Sequence, residues 1–94
     1  MGYNGRMIEV TLELYGIPRQ RAGREALRVQ GATACEALRA AAAACPGLGE
    51  LVSPDGRLSP HYLLSLEGRR FLASLQEPLR AGDRLVLLSA DAGG

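Results

Sequence analysis

Residues 84–94 read RLVLLSADAGG, an apolar run that leads through a short spacer to two glycines. Within the run, Leu85 and Leu87 point to one side of an extended chain, and Val86 and Leu88 point to the other. The run therefore predicts a β-strand with two apolar faces. Such a strand usually lies in the middle of a sheet, because both of its faces need cover.

The two glycines that end this stretch, Gly93 and Gly94, have no side chain to hold a terminus in place, and glycine loses the most conformational freedom on ordering. At an average glycine usage of about 7%, two terminal glycines arise by chance about 0.5% of the time. The chain contains 12 glycines, which raises that rate but leaves it low. We therefore expect residues 90–94 to be a flexible tail that serves function.

Length and composition predict one domain, residues 7–89, preceded by a short flexible leader, residues 1–6, within a chain of 94 residues. A hydrophobic content of 47% is typical of a folded protein. We find no apolar run long enough for a membrane helix and no secretory signal. The net charge of +1 gives no attraction to nucleic acid or to an anionic membrane. We expect a cytoplasmic protein without either partner.

Residue types that carry catalysis are sparse. Cys35 and Cys45 are too few for a disulfide framework and lack the spacing of metal ligands. They are interpreted as small buried residues, which favours a reducing compartment. His61 has no neighbours arranged as a ligand set or a triad. Phosphate loops, zinc motifs and nucleophile elbows are missing from the sequence. We expect no catalytic activity, no metal and no bound cofactor.

Two strands open the predicted domain. MIEVTLELY at residues 7–15 alternates apolar and polar residues, which is the strongest strand pattern in the chain. EALRVQ at residues 25–30 is a second, weaker strand, and a hairpin is the simplest connection. Glycine and proline between them predict that residues 16–24, GIPRQRAGR, form a loop.

One helix is clear from the sequence, within GATACEALRAAAAACPG at residues 31–47. Thr33 is the expected N-cap, with Glu36 completing a capping box. Alanine favours the helix, and Pro46-Gly47 ends it. Its apolar stripe is narrow and made of small residues, so the helix can lie close to a sheet: Ala34, Ala37, Leu38, Ala41, Ala42 and Cys45.

The remainder predicts short strands joined by turns. LGELVSPDGRLSP at residues 48–60 is loop-like. HYLLSLEGRRFLASL at residues 61–75 is expected to form a strand, a turn at Glu67-Gly68 and a second short strand around Phe71. A further turn at residues 81–83 precedes the last strand.

This order of elements resembles the β-grasp, or ubiquitin-like, fold, and more closely the small sulfur-carrier proteins of the MoaD/ThiS type. The resemblance is carried by MIEVTLELYG near the start, TACEALRAAAAACPGL in the middle and PLRAGDRLVLLSADAGG at the end, and it covers nearly all of the chain from Met7 onward. It implies an α+β fold, with a mixed sheet of about four to five strands packed on one main helix.

The resemblance also implies a function for the tail. In that family, an E1-like adenylating enzyme uses ATP to activate the terminal glycine carboxylate, which here is that of Gly94, preceded by Gly93. Sulfur then replaces one carboxylate oxygen, and the thiocarboxylate donates it to a sulfur-accepting synthase of the molybdopterin synthase large subunit or thiazole synthase type. Molybdopterin is the favoured product, with thiamine or another sulfur metabolite as alternatives. The carrier itself is non-catalytic and binds no cofactor.

Partner binding is expected on the face that a single helix cannot cover. If Leu85 and Leu87 face the helix, then Val86 and Leu88 are exposed and bind the partner, together with the tail residues Ala92, Gly93 and Gly94. Two alternatives stay open: a ubiquitin-like modifier conjugated to proteins through Gly94, and a plain β-grasp interaction module.

Overall fold

The computed structural model describes residues 8–90 and shows an α+β fold with a five-stranded sheet. The strands are β1 (Glu9–Leu14), β2 (Ala26–Gln30), β3 (Tyr62–Leu66), β4 (Arg70–Phe71) and β5 (Arg84–Ser89). The helices are α1 (Ile17–Ala22) and α2 (Ala34–Ala44), and a 3₁₀ turn, Pro46–Leu48, follows α2. Of these described helices none is long and apolar enough to cross a membrane.

The sheet is mixed, and β5 lies in its middle. The strand order is β2-β1-β5-β3-β4, with β1 and β5 parallel and every other neighbouring pair antiparallel. The prediction that the strand with two apolar faces is central is therefore confirmed.

Helix α2 covers one face of the sheet. The buried strand residues alternate with exposed ones, so Leu12 and Leu14 of β1 and Leu85 and Leu87 of β5 all face the same core at 0% exposure. The predicted stripe of α2 is buried against them, except that Ala42 is only half-buried. Small residues on the stripe let the helix axis approach the sheet closely.

The ends of α2 match the predicted capping signals. Thr33 Oγ1 accepts a hydrogen bond from the Glu36 N–H at 3.3 Å. Glu36 Oε1 in turn accepts one from the Ala32 N–H at 2.7 Å, so two backbone donors at the start of the helix are satisfied. The helix ends at Ala44, directly before the buried Cys45 and the 3₁₀ turn at Pro46.

The prediction of a loop at residues 16–24 is wrong, because the segment contains helix α1. Pro18 lies in the first helical turn, where its missing N–H is not needed, and it is buried. Gly23 ends the helix in the left-handed conformation, with φ of 73°, and its N–H donates to the Arg19 carbonyl oxygen at 2.9 Å. The proline and glycine that suggested a loop are a start and a stop signal.

The segment predicted as loop at residues 48–60 lacks strands but contributes to the core. Leu48 and Leu51 are each only 1% exposed, and an isolated bridge joins Val52 to Leu58 across the turn at residues 54–55. The predicted β3–β4 hairpin is confirmed, with Glu67 in its turn at φ of 57°.

Candidate partner-binding face and tail

The face of the sheet opposite α2 carries a group of apolar side chains on three neighbouring strands. Val86 and Leu88 of β5 alternate with the buried leucines and so lie on this open face, as predicted. The register places Leu63 beside Leu88, Ser65 beside Val86, and Phe71 beside Ser65. We call Leu63, Val86, Leu88 and Phe71 the apolar patch.

The four side chains of the apolar patch differ in exposure. Phe71 is 60% exposed and Leu63 is 41% exposed, whereas Val86 and Leu88 are half-buried. Val86 and Leu88 are therefore less open than expected, because side chains of both neighbouring strands flank the central strand. Exposed aromatic and leucine side chains that adjoin one another on a sheet commonly mark a protein interface.

Sequence reasoning missed Leu63 and Phe71 as site residues. In β3, three of five residues are leucine, and the consecutive Leu63 and Leu64 cannot both face the core, because successive side chains alternate between faces. This alternation was the sequence signal that one of the two leucines lies on the open face. The position of Phe71 depends on the β3–β4 register, which the sequence does not specify.

Charged and aromatic groups border the apolar patch on the β1 side. Glu13, the neighbour of Val86, forms an ion pair with Arg84 at 3.5 Å and accepts a hydrogen bond from the Tyr15 hydroxyl at 3.1 Å. Tyr15 is 41% exposed, and the Arg19 guanidinium carbon lies 4.9 Å from the centre of its ring. A partner that covers the patch would therefore meet a polar rim there, which is the usual arrangement at protein interfaces.

The tail starts next to the apolar patch. Strand β5 ends at Ser89, one residue after Leu88, and the Ala90 N–H donates to the His61 carbonyl oxygen at 2.8 Å. A cleft of about 160 Å³ lies at this point, lined by Ile17, Arg21, His61, Tyr62 and Ser89. The predicted tail residues Ala92, Gly93 and Gly94 lie outside the described residues, as does the predicted leader, residues 1–6.

The side chains that could bind a metal ion are scattered over the described part of the chain. Between residues 8 and 90, no three His, Cys, Asp or Glu residues lie close enough to hold a metal ion. Cys35 and Cys45 are free thiols buried in the core, as interpreted from the sequence. His61 is exposed and faces the cleft beside the start of the tail.

Comparison with solved structures gives the family. SAMP1 from Haloferax volcanii is 31% identical, with a TM-score of 0.77 over 92% of this chain and 99% of that one. The chain belongs to the ubiquitin-like β-grasp family of MoaD/ThiS-type sulfur carriers. A scan against protein-family models and a search of the curated proteins find no match.

Two more distant structures share the β-grasp fold. One comes from the BexX/CysO complex of Amycolatopsis orientalis, at 22% identity and a TM-score of 0.74, covering 90% of this chain and 99% of that one. The other is a Pyrococcus furiosus protein proposed as subunit 1 of the molybdopterin converting factor, at 19% identity and a TM-score of 0.70, covering 87% and 97%. All these β-grasp proteins are small, like the chain itself.

Proposed function

We propose that this β-grasp carrier transports sulfur as a thiocarboxylate on Gly94. The observation that carries the proposal is the position of β5: the central strand contributes Val86 and Leu88 to the apolar patch, and residues 90–94 follow it directly in the sequence. An enzyme that holds the patch would therefore receive the tail at a fixed distance from its binding surface. Family membership supports the same function.

The chemistry needs nothing from this chain except a reachable carboxylate. One oxygen of the Gly94 carboxylate attacks the α-phosphorus of ATP, which releases pyrophosphate and leaves an acyl-adenylate. A hydrosulfide ion then attacks the acyl carbon, AMP leaves with the bonding pair, and a thiocarboxylate and one proton result. The E1-like adenylating enzyme supplies the catalysis, and the carrier supplies the acyl group.

The length and composition of the tail suit this role. Five residues, 90–94, follow β5, and an extended residue spans at most about 3.3–3.6 Å, so the carboxylate can reach about 17 Å beyond the sheet. Without side chains, Gly93 and Gly94 can enter a narrow channel in which the enzyme's backbone approaches closely. Ala92 adds only a methyl group.

We further propose that the thiocarboxylate is delivered to a synthase that builds a sulfur-containing cofactor, with molybdopterin favoured and thiamine or another sulfur metabolite as alternatives. The apolar patch is the expected contact for both the adenylating enzyme and the synthase, which would therefore bind in turn rather than together. The reducing compartment expected from the buried free thiols suits a thiocarboxylate.

The test is ATP–pyrophosphate exchange by the E1-like enzyme of the same organism. The native chain should support exchange, and its intact mass after hydrosulfide is added should rise by the difference between sulfur and oxygen. A C-terminal tag converts the Gly94 carboxylate to an amide. The tagged chain should therefore show neither pyrophosphate exchange nor the mass increase, although its circular dichroism spectrum should be unchanged. Equal exchange by both forms, with the tag shown to be intact, would refute the proposal.

Protein modification is a second candidate, because the 31% identical Haloferax volcanii structure is that of a small archaeal modifier protein. The same acyl-adenylate would then be transferred to amines of target proteins. The chain has 11 arginines and no lysine, so a second copy offers no lysine to the activated carboxylate. Covalent adducts on cell proteins, lost when the tail is blocked, would establish this function; if neither sulfur nor adducts are found, the chain is an interaction module.

A further inference from the structure

Strand β2 forms an edge of the sheet and is open to pairing. It spans Ala26–Gln30, contains no proline and, among residues 8–90, pairs only with β1. The opposite edge, β4, is only two residues long. A five-residue edge without a proline is long enough to accept a further strand, which is a common route of peptide binding.

Hydrogen bonds at the two ends of the β1–β2 ladder show which backbone groups face outward. The Leu14 N–H donates to the Glu25 carbonyl oxygen at 2.8 Å, and the Gly31 N–H donates to the Ile8 carbonyl oxygen at 2.9 Å. In an antiparallel pair, residues that face the partner alternate with residues that face away. The β2 residues that face away from β1 have their N–H and C=O groups at the open edge; they are Ala26, Arg28 and Gln30.

These outward groups have no partner within the described part of the chain. None of the backbone hydrogen bonds found in its turns, loops and caps involves Ala26, Arg28 or Gln30. An added strand could therefore form a regular ladder with three alternate residues of β2. Main-chain pairing of this kind gives affinity but no selectivity, which has to come from side chains.

The side chains along this edge are basic. A cleft of about 560 Å³ runs beside β2, lined by Thr11, Arg24, Ala26, Leu27 and Arg28. Arg24 and Arg28 are exposed, and neither has an ion pair or a side-chain hydrogen bond among residues 8–90. Ala26 between them leaves room for a bulkier side chain on the added strand.

The acidic groups on the same face do not neutralise this edge. Glu9 and Glu13 of β1 flank the position of Thr11, which is the neighbour of Arg28. Glu13 is held toward β5 by its ion pair with Arg84 at 3.5 Å. Arg24 and Arg28 therefore keep their positive charge at the edge of the sheet, where an added strand would lie beside them.

The same charges disfavour pairing of β2 with a second copy of the chain. A symmetric antiparallel pair with Ala26 opposite Gln30 places Arg28 opposite Arg28, and like charges directly across a strand pair are destabilising. An acidic side chain at that position is instead attracted. The charges at this edge therefore disfavour pairing with a second copy of β2 and favour pairing with a segment of opposite charge.

We propose that the β2 edge binds an extended segment of a partner protein that carries acidic side chains at alternate positions. The segment adds as a sixth strand, with its backbone paired to Ala26, Arg28 and Gln30 and its carboxylates facing Arg24 and Arg28. β1 separates this edge from β5 and the apolar patch. Binding at the edge therefore leaves the patch and the tail free.

The probe is an acetylated and amidated peptide of alternating Glu and Val, added to the full chain. Amide hydrogen exchange followed by NMR should slow at Ala26, Arg28 and Gln30, because their N–H groups become bonded. Arg24→Glu with Arg28→Glu should weaken binding by about tenfold or more, because each arginine that attracts the carboxylates of the peptide is replaced by a carboxylate that repels them. Arg69→Glu with Arg80→Glu makes the same charge change outside β2 and should keep most of the affinity.

Two further peptides test the mode of binding. A Lys and Val peptide of the same length should not bind, and a Glu and Val peptide methylated on alternate backbone nitrogens should lose binding although its charge is unchanged. Equal binding by either peptide would overturn the proposal. It would also be overturned if the three amides were already protected in the free chain, or if the shifted resonances mapped to the apolar patch.

Discussion

Glu67 and Arg84 are joined by two hydrogen bonds that close the β3–β4 turn onto the start of β5. The Glu67 N–H donates to the Arg84 carbonyl oxygen at 2.7 Å, and Glu67 Oε2 accepts a hydrogen bond from the Arg84 N–H at 2.7 Å. Glu67 adopts φ of 57°, a conformation that is unfavourable without glycine. The carboxylate bond offsets that strain and fixes the first residue of the strand that leads to the tail.

Replacement of Glu67 should separate these two effects. Glu67→Ala removes the carboxylate acceptor and keeps the backbone strain, so we expect the free energy of unfolding to fall by about 1–2 kcal/mol. Glu67→Gly also removes the acceptor but relieves the strain, so its loss should be smaller. Urea unfolding measures both. Equal losses would show that strain at this position contributes nothing to stability.

Contact between α1 and the 3₁₀ turn gives a second prediction. A Cβ atom on Gly47 would lie 2.2 Å from the Arg21 carbonyl oxygen, so Gly47→Ala must displace the end of α1. We expect a loss of about 1–3 kcal/mol in unfolding free energy and faster amide exchange in α1. Gly49→Ala meets no atom within 4 Å but keeps a φ of 70°, so it should cost only the strain, about 1 kcal/mol. If Gly47→Ala costs no more than Gly49→Ala, the contact does not hold α1.

This contact also explains why the sequence predicted α2 and missed α1. Helix α2 has 11 residues, a capping box and a run of alanines, all of which are local signals. Helix α1 has six residues, too few to be stable alone. It depends on the burial of Pro18 and on Gly47, which lies more than twenty residues away in the sequence.

The residues of the candidate site likewise include some that a local sequence pattern predicts and others whose placement depends on distant parts of the chain. Val86 and Leu88 could be predicted, because a strand with two apolar faces and one covering helix leaves one face open. Phe71 could not be assigned to that face, and alternation shows only that one of Leu63 and Leu64 lies on it, because the choice depends on how β3 and β4 align with β5. A shift of one residue in β3 would have moved Leu63 into the core.

The ion pair between Arg70 and Glu77 predicts a pH dependence. The hydrogen bond from Arg70, aided by its charge, lowers the pKa of the Glu77 carboxyl below its usual value. A carboxyl group with a lowered pKa in the folded state stabilises the fold above its unfolded pKa, and loses that effect as the pH falls through the folded value. Stability should therefore decline below about pH 4.5. Both groups are on the surface, so the effect should be small and weakened by salt.

Glu77→Gln should flatten part of this acid-side decline in thermal melts recorded from pH 6 to pH 2. Glu50→Gln is the matched control, because it makes the same charge change at an exposed carboxylate without an ion pair in the described range. A decline in Glu77→Gln as steep as in the unmodified chain would contradict the prediction.

Arginine substitutions at neighbouring positions of β5 should have opposite consequences. Leu88→Arg places the charge on the open face, so the chain should fold and lose binding to the adenylating enzyme or to the sulfur acceptor. Leu87→Arg places it in a core position that is 0% exposed, so the chain should not fold. Circular dichroism and pull-down with the native adenylating enzyme measure the two outcomes.

Ala43→Arg is the control for Leu88→Arg, because it adds the same charge at an exposed position of α2, on the other side of the sheet. It should fold and bind as the unmodified chain does. Full binding by Leu88→Arg would show that the apolar patch is not the partner site, whatever the role of the tail.

Deletion of Gly93 and Gly94 should separate folding from function most directly. The core formed by the described residues is complete without them, and glycine adds no apolar side chain, so the melting temperature should be unchanged within error. Pyrophosphate exchange should be lost, because the new terminal carboxylate on Ala92 lies about 7 Å short of the reacting position when extended. Gly93→Ala with Gly94→Ala keeps the length and the carboxylate and adds two methyl groups. Its exchange rate should fall between those of the native and shortened chains if the channel is narrow. A lower melting temperature for the shortened chain would mean that the tail is structural, and native exchange rates in both variants would mean that the reactive carboxylate is not that of Gly94.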